Sequence, residues 1–318
     1  MTYKIFIDGE EGTTGLQIRE RLEVRSELSL IHLPNKGRKD PELRREAFLS
    51  ADVGILCLPD TAAREVVSLL GDVNTRLIDA STAHRISDNW IYGFPELSQE
   101  HKGLISSASR VTNPGCYSTA AIALLRPLVC GGIIPVDYPV TINAVSGYSG
   151  GGKTLIARME DATLENKIKA DYFAYGLGLD HKHIPEIVFY SGLNKRPIFV
   201  PSVGRFRQGM VVQIPLQLWS LQPKPSVKKI CSTLKKFYSG QAFVSVANEV
   251  DIESRLALLD PEELNNTNRI RLFVFGNEEY DQIVLTAQLD NLGKGAAGQA
   301  IQNLNLMLGL SETSGLEC

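Results

Sequence analysis

The sequence predicts an α/β fold in which a doubly wound parallel sheet is followed by an α+β domain with a mixed, largely antiparallel sheet. Three observations carry this. Residues 4 to 81 alternate short apolar runs with amphipathic segments, a glycine-spaced loop joins the first such pair, and beyond about residue 115 the apolar runs lengthen and are separated by turn signals.

Taken in order, Lys4 to Ile7 reads as a strand, Gly9 to Gly15 as a loop and "LQIRERLEV" as a helix, followed by a strand over "LSLIHL". The alternation continues with helix "PELRREAFLS", strand "VGILCL", helix "TAAREVVSLL" and strand "RLIDAS". Serial alternation of this kind implies parallel strands with helices on both faces. The later runs "PVTINAVSGYS", "MVVQIPLQLWS" and "IRLFVFGNE" suit a mixed or antiparallel sheet, a kind of surface that often joins two subunits. Near the end, "KGAAGQAIQNLNLMLGL" has helical spacing, and the tail "SETSGLEC" is expected to fray. The domain division expected is 1–114, completed by a C-terminal helix over 294–318, and 115–293.

Composition excludes several function classes. With 318 residues, 43% hydrophobic and 22% charged, the chain can bury sizeable cores, and its net charge of −3 with thinly spread Lys and Arg argues against a nucleic-acid surface. The start "MTYKIFIDGEEG" lacks the regions of a signal peptide, and "AAIALLRPLVCGGIIPV" is interrupted by Arg126 and Pro127 too early for a membrane span. A cytoplasmic protein is therefore expected. The five cysteines, Cys57, Cys116, Cys130, Cys231 and Cys318, are odd in number and show no CxxC spacing, which speaks for reduced thiols and against a metal site.

In "DGEEGTTG" glycines stand at 9, 12 and 15, a spacing that differs from the usual dinucleotide fingerprint but keeps its context, after a strand and at the start of a helix. Backbone N–H groups of Gly9, Gly12, Thr13, Thr14 and Gly15 would converge there on an anion; the alternative is a tight turn without a ligand. Sites for NAD usually place an acidic residue about 20 residues further on. Here "LSLIHLPNKGRK" offers Lys36, Arg38 and Lys39 instead, which suits a 2′-phosphate and so NADP(H); the alternative is a solvated basic loop.

The stretch "VTNPGCYSTA" sets Cys116 after a Pro-Gly pair and at the first turn of a helix. There the helix dipole and free N–H groups favour a thiolate and can stabilise an oxyanion. Cys57, Cys130 and Cys231 read as small buried hydrophobes. Among five histidines, His32 falls in a strand, His101 in a polar loop and His84 in "STAHRIS", where it could lie near the cofactor. His181 and His183 in "LDHKHIPEI" are the better partners for a nucleophilic cysteine, and no third ligand accompanies them to suggest a metal.

These motifs resemble the N-acetyl-γ-glutamyl-phosphate reductase family of the wider semialdehyde dehydrogenase group. "VTNPGCYSTA" is similar to its active-site signature, and "DGEEGTTG", "LIDASTAHRI", "YGFPEL", "VSGYSGGGK", "AYGLGLDHKHIPEI" and "DNLGKGAAGQAIQ" follow in the same order, from Asp8 to Gln302. The length looks like the shorter form of the family. The resemblance implies a Rossmann domain for NADP(H), a catalytic and dimerisation domain, and a homodimer or homotetramer acting in arginine synthesis. It implies Cys116 as nucleophile and His181 as acid/base, with His183 a weaker candidate. It also implies Ser81, Ser146, Gly147, Gly150 and Asn291 along the cofactor, and Asn113 and Arg85 toward the substrate, Arg85 having a surface ion pair as its alternative. Arg205 and Arg207 in "SVGRFRQGM" are plausible partners for a substrate carboxylate. One departure is that Glu10 and Glu11 stand where related proteins tend to have small residues; near a pyrophosphate they would repel it unless turned outward.

The reaction so implied is covalent. The Cys116 thiolate attacks the γ-acyl phosphate, phosphate leaves, the thioester accepts hydride from NADPH, and collapse gives the semialdehyde with His181 donating a proton. The alternatives are a reductase of another acyl phosphate, aspartyl or aminoadipyl phosphate, and a non-catalytic NADP-sensing protein on the same scaffold.

Overall fold

A computed structural model describes every residue except Met1, Asn35 and Asp72. The described residues up to Pro114, with Ala296–Leu316, form one compact unit; Gly115–Gly295 and Glu317–Cys318 form a second.

The first unit is built from β1 (Tyr3–Asp8), α1 (Thr13–Glu23), β2 (Leu28–Ile31), α2 (Pro41–Ser50), β3 (Val53–Leu56), α3 (Asp60–Leu70), β4 (Arg76–Asp79), β5 (Ile91–Tyr92), α4 (His101–Ser107) and β6 (Arg110–Thr112). Its six strands lie in the order β2-β1-β3-β4-β6-β5, all parallel. Alternation along each strand sends side chains to two cores. Ile5, Ile7, Ile55, Ile78 and Val111 meet Ile18 and Leu22 of α1 on one face, while Phe6, Leu56 and Leu77 meet Phe48 of α2 and Ala63, Val66 and Leu70 of α3 on the other. Helix α2 starts where the sequence signals it: Asp40 accepts hydrogen bonds from the N–H groups of Glu42 and Leu43, with Pro41 in the first position.

The second unit contains α5 (Cys116–Cys130), β7 (Thr141–Gly147), α6 (Gly152–Glu160), β8 (Tyr172–Ala174), α7 (Ile184–Ser191), β9 (Ile198–Gly204), β10 (Met210–Gln217), α8 (Val227–Phe237), β11 (Val244–Val246), α9 (Glu249–Glu253), β12 (Ile270–Asn277) and β13 (Gln282–Leu289). Its seven strands run β11-β12-β13-β10-β7-β9-β8, with parallel pairing at β11–β12 and β7–β9 and antiparallel pairing elsewhere. Helix α5 is apolar all round, so it is buried rather than amphipathic, packed among α7, α8 and strands β10, β12 and β13. A π-helical turn over Gly293–Ala297 leads to α10 (Gly298–Met307), whose Ala300, Ile301 and Leu304 complete the first core of the first unit.

Several expectations need correction. The tail does not fray: Asn305 donates to the carbonyls of Glu312 and Ser314, Lys102 pairs with Glu312 at 2.7 Å, and Arg25 donates to the Ser314 carbonyl. Local composition misses this because two of the donors, Arg25 and Lys102, lie far away in sequence. Cys130 ends α5 and is exposed rather than buried, and Cys231 is half-buried. Cys57 and His32 stand just past the ends of β3 and β2 rather than inside them. His101 begins α4 instead of lying in a loop, and is buried with Nε2 against the Tyr92 carbonyl. Among the described residues no helix is long and apolar enough to cross a membrane.

Candidate functional site

The glycine loop of the first unit is shaped by close approach. Gly9 has φ +89°, and a Cβ there would stand 2.4 Å from the Cys57 carbonyl oxygen; one on Gly15 would stand 2.3 Å from the carbonyl oxygen of Gly9. Only glycine fits either position. Helix α1 then begins at Thr13 with Gly12 as its cap and no capping side chain, so its first N–H groups and those of Thr14 and Gly15 point into the loop mouth. The Thr13 hydroxyl is buried and has no hydrogen-bond partner among the described residues. An orphaned donor beside an uncapped helix start fits a pyrophosphate.

The acidic residues of this loop are paired with basic side chains. Glu10 is buried, with Oε2 3.0 Å from His32 Nδ1 and 3.9 Å from Arg19, and Oε1 3.3 Å from Arg38; Glu11 pairs with Arg38 at 2.6 Å. Lys36 is exposed. Below the loop, Arg44 of α2 donates from Nε at 2.9 Å to Asp8, whose carboxyl burial raises above the usual range against the pull of that guanidinium. Burial, with the charges of Asp79 and Asp8, pushes the neighbouring Cys57 thiol up to about 12.

At the end of β4, Asp79 accepts from both the N–H and the hydroxyl of Ser81 and pairs with Nδ1 of His84 at 2.6 Å, while the His84 ring stacks on Trp90 at 4.4 Å. Ser81 is thus aimed by Asp79. Arg85 is buried and donates from Nε to the Asn113 carbonyl at 3.0 Å. The Asn113 amide donates to the Ala296 carbonyl and accepts from Asn303, which fixes the turn before the cysteine.

In the second unit, Cys116 is the first residue of α5 and half-buried, with Gly115 as cap. The Gly115 N–H donates to Oε2 of Glu186, a buried carboxylate in the first turn of α7, at 3.2 Å. On the other side Gly295 packs so closely that a Cβ on it would lie 2.8 Å from Cys116 Cβ. The sulfur-bearing turn is therefore gripped from both sides.

Beside it stands an aromatic cluster. Tyr175 OH is 3.5 Å from His181 Nε2 and 3.4 Å from Tyr117 OH, and Tyr117 OH donates to the Ser202 carbonyl at 3.2 Å. The His181 ring meets those of Tyr117, His183 and Phe199 edge-on at 5.9, 4.7 and 5.1 Å. Burial, with the negative charge of a nearby Cys116 thiolate, pushes Tyr175 up to about 12 and Tyr117 well above the usual phenol. Both stay protonated donors at neutral pH. Nδ1 of His181 accepts the backbone N–H of His183 at 3.1 Å, so the neutral ring carries its proton on Nε2.

Ser146 is buried beside this cluster on β7, and Gly147 lets the chain pass the Arg207 carbonyl oxygen, which a Cβ would approach to 2.5 Å. The Asn291 amide accepts from the Gly209 N–H at 2.8 Å and donates to Ser149 at 2.9 Å, while a Cβ on Gly150 would stand 3.4 Å from both Asn291 and Ser146. Arg205 is held by Asp171 and by the carbonyls of Met159, Ile168 and Ala170, whereas exposed Arg207 reaches Glu160 at 3.4 Å. Sequence reading missed Glu186, Tyr117 and Tyr175. Each lies inside a quoted motif, but nothing in the motif separates a residue that supports the cysteine from one that fills the core.

Comparison with known proteins shows the family. A family model described as semialdehyde dehydrogenase, NAD binding domain, matches residues 4–104, and one described as semialdehyde dehydrogenase, dimerisation domain, matches residues 116–291. A protein of Brucella ovis named N-acetyl-gamma-glutamyl-phosphate reductase is 53% identical over 97% of this chain and 100% of its own. Among solved structures, aspartate semialdehyde dehydrogenase II of Vibrio cholerae superposes with TM-score 0.71 at 15% identity, over 97% of this chain and 99% of that one. The Candida albicans aspartate semialdehyde dehydrogenase, solved with NADP, superposes with TM-score 0.64 at 14% identity over the same shares. These two carry the fold alone. The matched domains and the full-length identity place this chain in the semialdehyde dehydrogenase family, among its N-acetyl-gamma-glutamyl-phosphate reductases.

Proposed function

We propose that this chain reduces N-acetyl-γ-glutamyl phosphate to N-acetylglutamate γ-semialdehyde with NADPH, through a thioester on Cys116. The observation that carries the residue assignment is the position of Cys116: first residue of a helix without a capping side chain, half-buried, and neighboured by protonated Tyr175 and Tyr117. A sulfur there meets the positive helix end, which favours the thiolate.

Attack of the thiolate on the γ-carbonyl forms the C–S bond, and the bond to the phosphate oxygen breaks with its electron pair on phosphate. The N–H groups of the first turn of α5 face the carbonyl oxygen as it gains charge. His181 holds its proton at Nε2, as its Nδ1 is occupied by the His183 N–H, and supplies a hydrogen bond to that oxygen. Tyr175 keeps a phenolic proton near the same nitrogen. NADPH supplies the hydride that reduces the thioester carbonyl. Collapse of the tetrahedral adduct then returns the electron pair to sulfur and frees the aldehyde.

The glycine loop residues, Thr13 and Arg38 serve the cofactor in this reading, with Ser81, Ser146, Gly150 and Asn291 shaping its surroundings. Of the two arginines offered to the substrate carboxylate, Arg207 is favoured in this reading, because Arg205 is engaged by three carbonyls and Asp171 whereas exposed Arg207 meets Glu160 at 3.4 Å. The dimerisation-domain match supports a homo-oligomer, dimer or tetramer, and the five cysteines, all reduced, support a cytoplasmic location. The test is the reverse reaction. Oxidation of N-acetylglutamate semialdehyde with NADP⁺ and phosphate should greatly outpace that of aspartate semialdehyde; a preference for the latter rejects the substrate assignment.

A further inference from the structure

His32 stands directly after β2 and twenty residues beyond Gly12, the place where a site for NAD usually carries the carboxylate that binds the ribose 2′-hydroxyl. Ile31 pairs with Phe6 of β1, so this end of β2 lies beside the strand end that opens the glycine loop. The His32 ring is aimed. Its Nδ1 meets Oε2 of Glu10 at 3.0 Å, and because a carboxylate only accepts, the proton of the neutral ring sits on Nδ1. The opposite edge, Nε2, has no hydrogen-bond partner among the described residues, and the side chain is 49% exposed. Charging the ring places its second proton on Nε2 and turns that edge into a donor for an anion.

The guanidiniums around it are committed elsewhere. Arg38 gives Nη1 to Glu11 at 2.6 Å and Nη2 to Glu10 at 3.3 Å, and its Nε is buried. Arg19 meets Glu23 at 3.3 Å and Glu10 at 3.9 Å. These two cations offset the carboxylates of the loop, and buried Glu10 in turn holds the imidazole. Arg38 thus serves the cofactor through the carboxylates that it neutralises.

We propose that His32 is a specificity-determining residue for the cofactor, its Nε2 edge receiving the 2′-phosphate of NADP(H) while Glu10 holds the ring at Nδ1. This rests on the reading that the glycine loop binds the dinucleotide. A charged imidazole offers a phosphate a charge-assisted hydrogen bond, which is stronger than the one a neutral ribose hydroxyl can make with it. The histidine therefore favours NADP(H) over NAD(H) at the position where a carboxylate would do the reverse.

The test is fluorescence titration of wild type, His32→Ala and Thr13→Val with NADPH and NADH, and displacement of NADPH by 2′,5′-ADP and 5′-AMP. His32→Ala should weaken NADPH and 2′,5′-ADP about three- to tenfold, the span for one charge-assisted hydrogen bond at a half-exposed position, and change NADH and 5′-AMP by less than about twofold. Thr13→Val, in the glycine loop, should weaken NADPH and NADH alike. If Thr13→Val does so but His32→Ala leaves NADPH unchanged, or shifts NADPH and NADH equally, the role of His32 is rejected alone. If neither variant changes the affinity for either nucleotide, the glycine-loop reading and this proposal fall together.

Discussion

The backbone N–H of His183 donates to Nδ1 of His181 at 3.1 Å, and this bond sets which nitrogen of His181 carries the proton of the neutral ring. The proton of the neutral ring sits on Nε2, the atom 3.5 Å from the Tyr175 hydroxyl. His183 meets His181 here through its main chain, a bond that any residue but proline at that position keeps.

Replacement of His181 by Asn should lower kcat about 10²- to 10⁴-fold, the span for a single acid/base group. His183→Ala keeps the N–H and should cost less than about tenfold. Steady-state rates of the two variants check this, and the reverse ranking would exchange their roles.

Glu186 is read as a positioning residue, because its carboxylate accepts the N–H of Gly115 directly before the nucleophile. Glu186→Gln retains an acceptor, whereas Glu186→Ala leaves a buried N–H unpaired, at about 1–3 kcal/mol. The expected result is a lowered Tm and kcat in the Ala variant, with most of both restored in the Gln variant. Equal loss in the two would show that charge, not the hydrogen bond, matters.

Gly295 should tolerate no side chain. A Cβ there would press on Cys116 Cβ at 2.8 Å and approach the Asp290 carbonyl oxygen at 3.1 Å. Gly295→Ala is expected to cut turnover more than about tenfold by shifting the sulfur, a loss of transition-state geometry, while NADPH titration stays near wild type. Unchanged turnover would mean that the cysteine turn is less constrained than its packing implies.

Stability should fall on the alkaline side. The Cys57 thiol is pushed up to about 12 in the folded chain, above its value of 9.0 when free, so between those values the unfolded chain loses a proton that the native state keeps. The contribution is fully present below about pH 9 and is lost as pH rises toward 12, at about 1.4 kcal/mol per pH unit as an upper bound. Urea midpoints from pH 8 to 11 should decline less steeply in Cys57→Ala than in wild type, and parallel curves would contradict the shift.

Much of this was readable in the chain. The βα alternation follows from apolar periodicity, since Ile5 and Ile7 against Phe6 already encode two covered faces. Cys116 could be found from Pro114, Gly115 and the helix after it, a local signal. What the sequence hid is long-range. Glu10 and Glu11 look like charges that would repel a pyrophosphate, and only the structure shows them paired with Arg38, Arg19 and His32. The carbonyl partners of Arg205 cannot be read from its motif, and Glu186, 70 residues beyond the Gly115–Cys116 turn, gives no sign that it reaches back to it.

The sulfur of Cys116 is the point on which the chemistry turns, and trapping its acyl adduct tests it most directly. Protein mixed with N-acetyl-γ-glutamyl phosphate in the absence of NADPH should release phosphate stoichiometrically and gain the acyl mass on the peptide bearing Cys116, and addition of NADPH should discharge that mass as semialdehyde. Turnover without any adduct at Cys116, or with the adduct on another residue, would contradict the account.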